Sequence, residues 1–403
     1  MTTAEFTHAL ELNRSMLTVD THCDTPGSLT LRGYDIHARH DAATLLGGDV
    51  DLPRMRAGGL AASFFAVFVA QGPRTPEGFA QAWESAQATF GRLETMFRAF
   101  PDDCAPALTP GDAAPIRASG RRAIFLGMEN GHPLGLDLDR LDQCFQRGAR
   151  YLTLCHADDN ELCASCTSCG GWGDAPMTAR ATADTGLTEF GARVVERMNR
   201  LGMMVDVSHV SERTVDEVLA LSRAPVLASH SGALALCGHP RNIPDRQLRA
   251  IAAKGGVVQV CFVPRFVKAI TPDPEGEKAH NRLRARVRAH YAQAAIGADP
   301  AVDAAFEAEH RELCRLHPPY KVKVADVADH IDHVARVAGI EHVGIGGDWD
   351  GGARMEDCRD VAELPALTAE LVRRGYTEDD LRRIWGGNVM RVLGEALAMA
   401  GEA

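Results

Sequence analysis

The sequence has no long apolar run. No stretch reaches the roughly 20 residues that a membrane-spanning helix needs. The opening, MTTAEFTHALELNRSM, carries acids where a signal peptide has an apolar centre, and the end, GEALAMAGEA, has no lipid-anchor tail. A basic excess is missing too: 43 Lys and Arg stand against 54 Asp and Glu, a formal net charge of −11. That balance argues against nucleic acid or an anionic membrane as partner, while leaving room for a local basic pocket. Low-complexity tracts, linkers and solenoid-length repeats are absent. The 403 residues are therefore expected to form one domain, 1–403, with an ordinary apolar fraction of 45%. Eleven cysteines without an export signal point to free thiols in a reducing cytoplasm, and the odd count cannot pair fully within one chain.

What recurs is a short apolar run followed by a helical pattern. Eight candidate strands are 16–20, 60–70, 123–128, 150–154, 202–207, 225–229, 256–263 and 342–346. Runs such as FFAVFVA and GVVQVCFV suit parallel strands buried on both faces. Amphipathic helices fit between them at 76–99, 188–201, 212–222 and 324–338; in the second, Leu187, Phe190, Val194 and Met198 recur at helical spacing. Eightfold alternation predicts a (β/α)8 barrel, with a doubly wound open sheet as the alternative. Helices over 366–374 and 378–397 would complete the outer ring, and the charged stretch 264–319 reads as a helical insertion between strands 7 and 8. A solvated insertion is the plainer reading of it, and a lid the sharper one.

Polar residues able to bind metal stand where these strands end. They are His22 and Asp24, Glu129, His156, Asp206 and His209, His230, and Asp348. Alternation places His22 and Asp24 on one side of an extended chain. In a barrel all such ends meet at one face, where active sites are built. Imidazole and carboxylate suit zinc and its neighbours, and the set exceeds what one tetrahedral ion needs, so a two-metal site bridged by one Glu is expected. Each residue alone has a bland reading: a structural His, an N-capping Asp, or, for Asp206, a buried partner of a His. Gly344-Ile345-Gly346-Gly347 lacks the rest of a dinucleotide fingerprint. Cys163-x-x-Cys166-x-x-Cys169 has metal-loop spacing but no matching fourth Cys; free thiols or one labile disulfide are the expectation there.

The ordered motifs VDTHCD, GMENG, YLTLCH, GLTEFG, MMVDVSH, ASHS, HPRNIPD, DHIDH, HVGIGGDWDG and IWGGNVMRV resemble those of the membrane (renal) dipeptidase family of amidohydrolase-like barrels, over nearly the whole chain. The resemblance implies a dipeptidase with two Zn2+ ions bridged by Glu129 and a hydroxide. His22 and Asp24 would hold one ion, His209 and His230 the other. It also implies His156 at the substrate carbonyl, Arg241 on the terminal carboxylate, and Asp348 moving the proton of the hydroxide. Without the family, a surface salt bridge would be the reading for Arg241, a structural hydrogen bond for His156 and a turn or cap for Asp348. Dipeptides, including those with a C-terminal D-residue, are the implied substrates, and a homodimer the implied assembly. Two departures stand out: Cys23 and Cys261 occupy positions where the family often has Asn. A deacylase on the same barrel and an inactive binding protein are the competing functions; retention of every expected ligand argues against the second.

Overall fold

The computed structural model describes residues 1–168, 178–179 and 183–400. Eight parallel strands form the central sheet: β1 Val19–Cys23, β2 Ala62–Phe68, β3 Arg122–Glu129, β4 Ala149–Thr153, β5 Met204–Asp206, β6 Leu227–Ser231, β7 Val257–Val260 and β8 Val343–Ile345. They pair in chain order from β1 to β8. A further short strand, Cys104–Pro106, lies beside the first residues of β3, where β4 does not reach. The sheet closes through a parallel bridge between Cys23 and Trp349. Around it, Asp24 N donates to the Trp349 carbonyl at 2.8 Å and Asp348 N to the His22 carbonyl at 3.1 Å. This is the expected (β/α)8 barrel, with its last seam made by a bridge instead of a regular ladder.

Strand alternation sorts the side chains into two layers. Phe64, Phe125 and Tyr151 form one cluster with Met204, Leu227 and Val257, floored by Val389, Met390 and Leu393 of the helix Asn388–Ala398. Phe65, Ile124, Leu126, Leu152 and Val258 face the surrounding helices. The four helices expected between strands lie at Pro76–Ala99, Glu189–Leu201, Glu212–Leu221 and Val324–Ala338, within a residue or so of the sequence prediction. Their ends follow local chemistry. Thr188 caps Glu189–Leu201 by accepting from Gly191 N, and Gly202, at φ 76°, ends it in the left-handed conformation. The insertion is helical as expected, at Pro264–Val267, Pro274–Tyr291 and Pro300–Leu316. Its Leu283, Val287 and Tyr291 pack against Leu31, Leu45 and Leu46 of the segment after β1.

Two expectations need correction. The first strand, expected at 16–20, runs Val19–Cys23, because Met16 caps the helix Thr3–Ser15. Thus His22 lies within the strand instead of beyond it. The closing helix expected over 378–397 is interrupted by a π segment, Arg383–Gly387. The widened turn accommodates the close approach of Gly386, where a Cβ would sit 2.4 Å from the Leu17 carbonyl oxygen.

Candidate metal centre

Glu129 is the last residue of β3, and its two carboxylate oxygens face different groups. Oε2 lies 3.3 Å from His22 Nε2, which is itself 3.9 Å from Asp24 Oδ2. Oε1 lies 3.3 Å from His209 Nε2 and 3.6 Å from both His230 Nε2 and His156 Nε2. His209 and His230 meet Nε2 to Nε2 at 2.9 Å. Asp348 shares a cluster of close ligand atoms with His22 and Asp24. All of these lie at the carboxyl ends of β1, β3, β4, β5, β6 and β8, so the barrel brings every expected ligand to one place.

Neighbouring side chains set the imidazoles. His22 Nδ1 is 2.8 Å from the Tyr151 hydroxyl, which donates to the Thr21 carbonyl and therefore accepts from Nδ1–H. His230 Nδ1 is 2.8 Å from Ser229 Oγ, which donates to Asp206 at 2.6 Å and accepts in the same way. Both rings then turn Nε2 toward the Glu129 carboxylate, an arrangement that favours positive charge between them. His22 Nε2 and Asp24 Oδ1 are buried without a hydrogen-bond partner. Donors around one tetrahedral ion at zinc distances stand roughly 3.3–3.6 Å apart, close to the separations found here. The residues present fit divalent cations.

The electrostatics agree. Burial disfavours charge on His22, but Glu129, then Asp24 and Asp348, outweigh it and raise the imidazole to about 10. Against burial, the charge of His22 and the close imidazole contacts of His209 and His22 hold Glu129 well below the usual carboxylate range. Burial, then the charge of Arg241, depresses His209 strongly; burial, then His22 and Arg241, does the same to His230. Burial lowers His156 to about 4 and raises Asp348 to about 6. Backbone strain concentrates here as well: His209 (φ 69°), Asp348 (φ 62°) and Asn130 (φ 78°) are left-handed.

Arg241 is 2% exposed. Its Nη2 donates to the His230 carbonyl at 2.8 Å and its guanidinium lies over Phe266, while Nε is buried without a partner. This places a buried cation beside the cluster, where a surface salt bridge would be the reading from sequence alone. Asp206 partners His230 only through Ser229, and it also accepts from Thr153 Oγ1 at 2.5 Å. Sequence reasoning missed Tyr151, Ser229 and Asp20. Asp20 joins β1 to β8 by accepting from His22 N and Gly347 N, each at 3.0 Å. The only signal of Tyr151 is a hydroxyl within a strand otherwise read as packing. Cys261 Sγ donates to Asp348 Oδ2 at 3.8 Å, which puts that departure from the family pattern at the site. Cys163 is buried and Cys166 partly exposed, neither in a disulfide; Cys169 lies outside the described residues.

Comparison with known proteins gives the same direction. The family model described as membrane dipeptidase (peptidase family M19) matches residues 6–403. Dipeptidase aclJ of Aspergillus oryzae is 33% identical over 354 residues, 86% of this chain and 70% of that protein. The crystal structure of the probable dipeptidase PvdM from Pseudomonas aeruginosa superposes with TM-score 0.79 at 29% identity, covering 98% of this chain and 99% of that one. A metallopeptidase from Rhodobacter sphaeroides, liganded with a phosphinate mimic of the dipeptide L-Ala-D-Ala, has TM-score 0.70 at 27% identity, covering 94% and 99%. With a carboxylate flanked by imidazoles at the mouth of the barrel and a family match spanning nearly the full length, the chain belongs to the membrane dipeptidase family, peptidase family M19, and is a metal-dependent dipeptidase.

Proposed function

We propose that the enzyme is a zinc dipeptidase with a binuclear centre, acting on dipeptides that include L-Xaa-D-Xaa. The observation that carries this reading is the placement of Glu129, whose two oxygens face separate donor sets. His22 and Asp24 would hold one ion, His209 and His230 the other, with Glu129 shared. When bound, the two ions supply a water that is ionisable near neutral pH and positive charge for the substrate carbonyl. The rest falls to the side chains. Arg241 binds the terminal carboxylate, for which a guanidinium fork suits two oxygens. His156, 12% exposed and beside Glu129, orients the scissile carbonyl and donates to the oxygen where charge grows. Asp348 accepts the proton of the attacking water and delivers it to the leaving amine. The phosphinate dipeptide mimic held by the Rhodobacter sphaeroides relative supports an L,D substrate.

The same proposal includes the cytoplasm as location, supported by the ten cysteines among the described residues, all free thiols. It includes a homodimer, which light scattering tests. It treats 264–319 as an insertion within one domain, 1–403, supported by its packing on the segment after β1. The test of function is metal content together with hydrolysis of L,L- and L,D-dipeptides and of N-acyl amino acids. About two zinc ions per chain and dipeptide cleavage are expected. Two ions with cleavage of acyl amino acids alone would shift the reading to a deacylase.

A further inference from the structure

The barrel has a second polar concavity, at the end opposite Glu129. A cleft of about 420 Å³ is lined by Arg14, Arg56, Arg117 and Arg122, with Gly59 and Ala61 beside them. Arg122 is the first residue of β3 and Glu129 the last, so the two sites lie roughly 23 Å apart along the strand. Arg14 and Arg117 sit in the last turns of the helices Thr3–Ser15 and Pro110–Ala118, and Arg56 on the helix Leu52–Ala57.

In a chain of net charge −11, four guanidinium groups around one cleft need an explanation. The carboxylate pairing with them is Asp103, which binds Arg56 at 2.9 Å and is shared with His37 at 2.9 Å. Arg122 is 8% exposed. Its terminal nitrogens donate to the Leu60 and Gly120 carbonyls at 3.0 and 3.1 Å, and its Nε is buried with no partner. Neutral carbonyls fix the direction of this guanidinium without cancelling its charge. Arg117 donates to the Arg14 carbonyl, which holds two of the four side chains' elements together. The cleft is thus a concentration of positive charge in which Arg122 is withdrawn from water while Arg14 and Arg56 are exposed, and an anion near Arg122 is attracted more strongly than on an open surface. Its volume falls in the range of small-molecule sites. Guanidinium forks match the oxygens of a tetrahedral dianion.

We propose that this cleft on the amino-terminal face of the barrel binds a small molecule through a phosphate group. The site is separate from the metal centre and independent of the dipeptidase reading. The test is calorimetric titration of the metal-loaded enzyme with inorganic phosphate, against sodium chloride at matched ionic strength and against succinate. Phosphate should bind the wild type and the Arg241→Ala variant alike. Arg14→Glu, which leaves the Arg14 carbonyl contact intact, and Arg117→Ala should each weaken binding about tenfold or more. Dipeptide turnover and circular dichroism should be unchanged in both. Unchanged phosphate affinity in both variants would overturn the proposal, as would an equal response to chloride. Loss of binding in Arg241→Ala alone would assign the phosphate to the metal centre and overturn it too. Succinate binding as tightly as phosphate would overturn the phosphate assignment.

Discussion

At the scale of single residues, the chemistry turns on groups whose charge the barrel controls. Glu129 is 2% exposed and stays ionised because imidazoles surround it. Replacing it with Gln would leave the ring nitrogens without their shared anion, so Glu129→Gln should lose both metal equivalents by elemental analysis. Asp348 differs: it borders the cluster from β8 and its proposed work is proton transfer. Asp348→Asn should keep its metal and lose turnover by about 10²–10⁴-fold. Near-normal kcat in a metal-replete Asp348→Asn enzyme would remove it from that role. Arg241→Ala should raise KM for dipeptides with metal content unchanged, because the buried guanidinium contacts the His230 carbonyl and no ligand nitrogen. An unaltered KM would refute the carboxylate-binding role.

At the scale of elements, the ligands depend on the strands behind them. Tyr151 projects from β4 across the barrel interior to His22 on β1, stacking near Phe64 on the way. Its ring needs Gly127 on β3, where a Cβ would meet Tyr151 Cζ at 2.0 Å. Tyr151→Phe keeps the packing and removes the hydroxyl that orients His22, so metal affinity in chelator competition should fall about 10–100-fold with little change in Tm. Gly127→Ala should lower both affinity and Tm, since the ring itself must move. The motif YLTLCH disclosed His156 readily but not this work of Tyr151, because one strand's sequence does not say which side chain will stand opposite across a closed sheet.

At the scale of the whole molecule, two faces of one barrel carry opposite demands. The carboxyl-end face gathers buried carboxylates and imidazoles that need cations; the amino-end face gathers arginines that attract an anion. Removing metal should therefore cost stability as well as activity. Chelation should lower Tm by several degrees and zinc should restore it, as expected when a ligand binds only the folded state. An unchanged Tm after verified metal removal would show that the cluster tolerates an empty centre.

Buried apolar runs alternating with amphipathic helices pointed to a barrel with an open sheet as the alternative, and the residue types of the candidate site were legible because His, Asp and Glu stood where those runs stopped. The sequence by itself placed the helices closely, since caps such as Thr188 and Gly202 are local chemistry. Tertiary structure decided the rest. The first strand runs on to Cys23, three residues beyond the apolar pattern, because pairing with β2 overrides the polarity of Asp20, Thr21 and His22. Only closure of the sheet brings Asp20 to Gly347 and Tyr151 to His22. Periodicity along a chain records which face is buried; it does not record which distant residues that burial brings into contact.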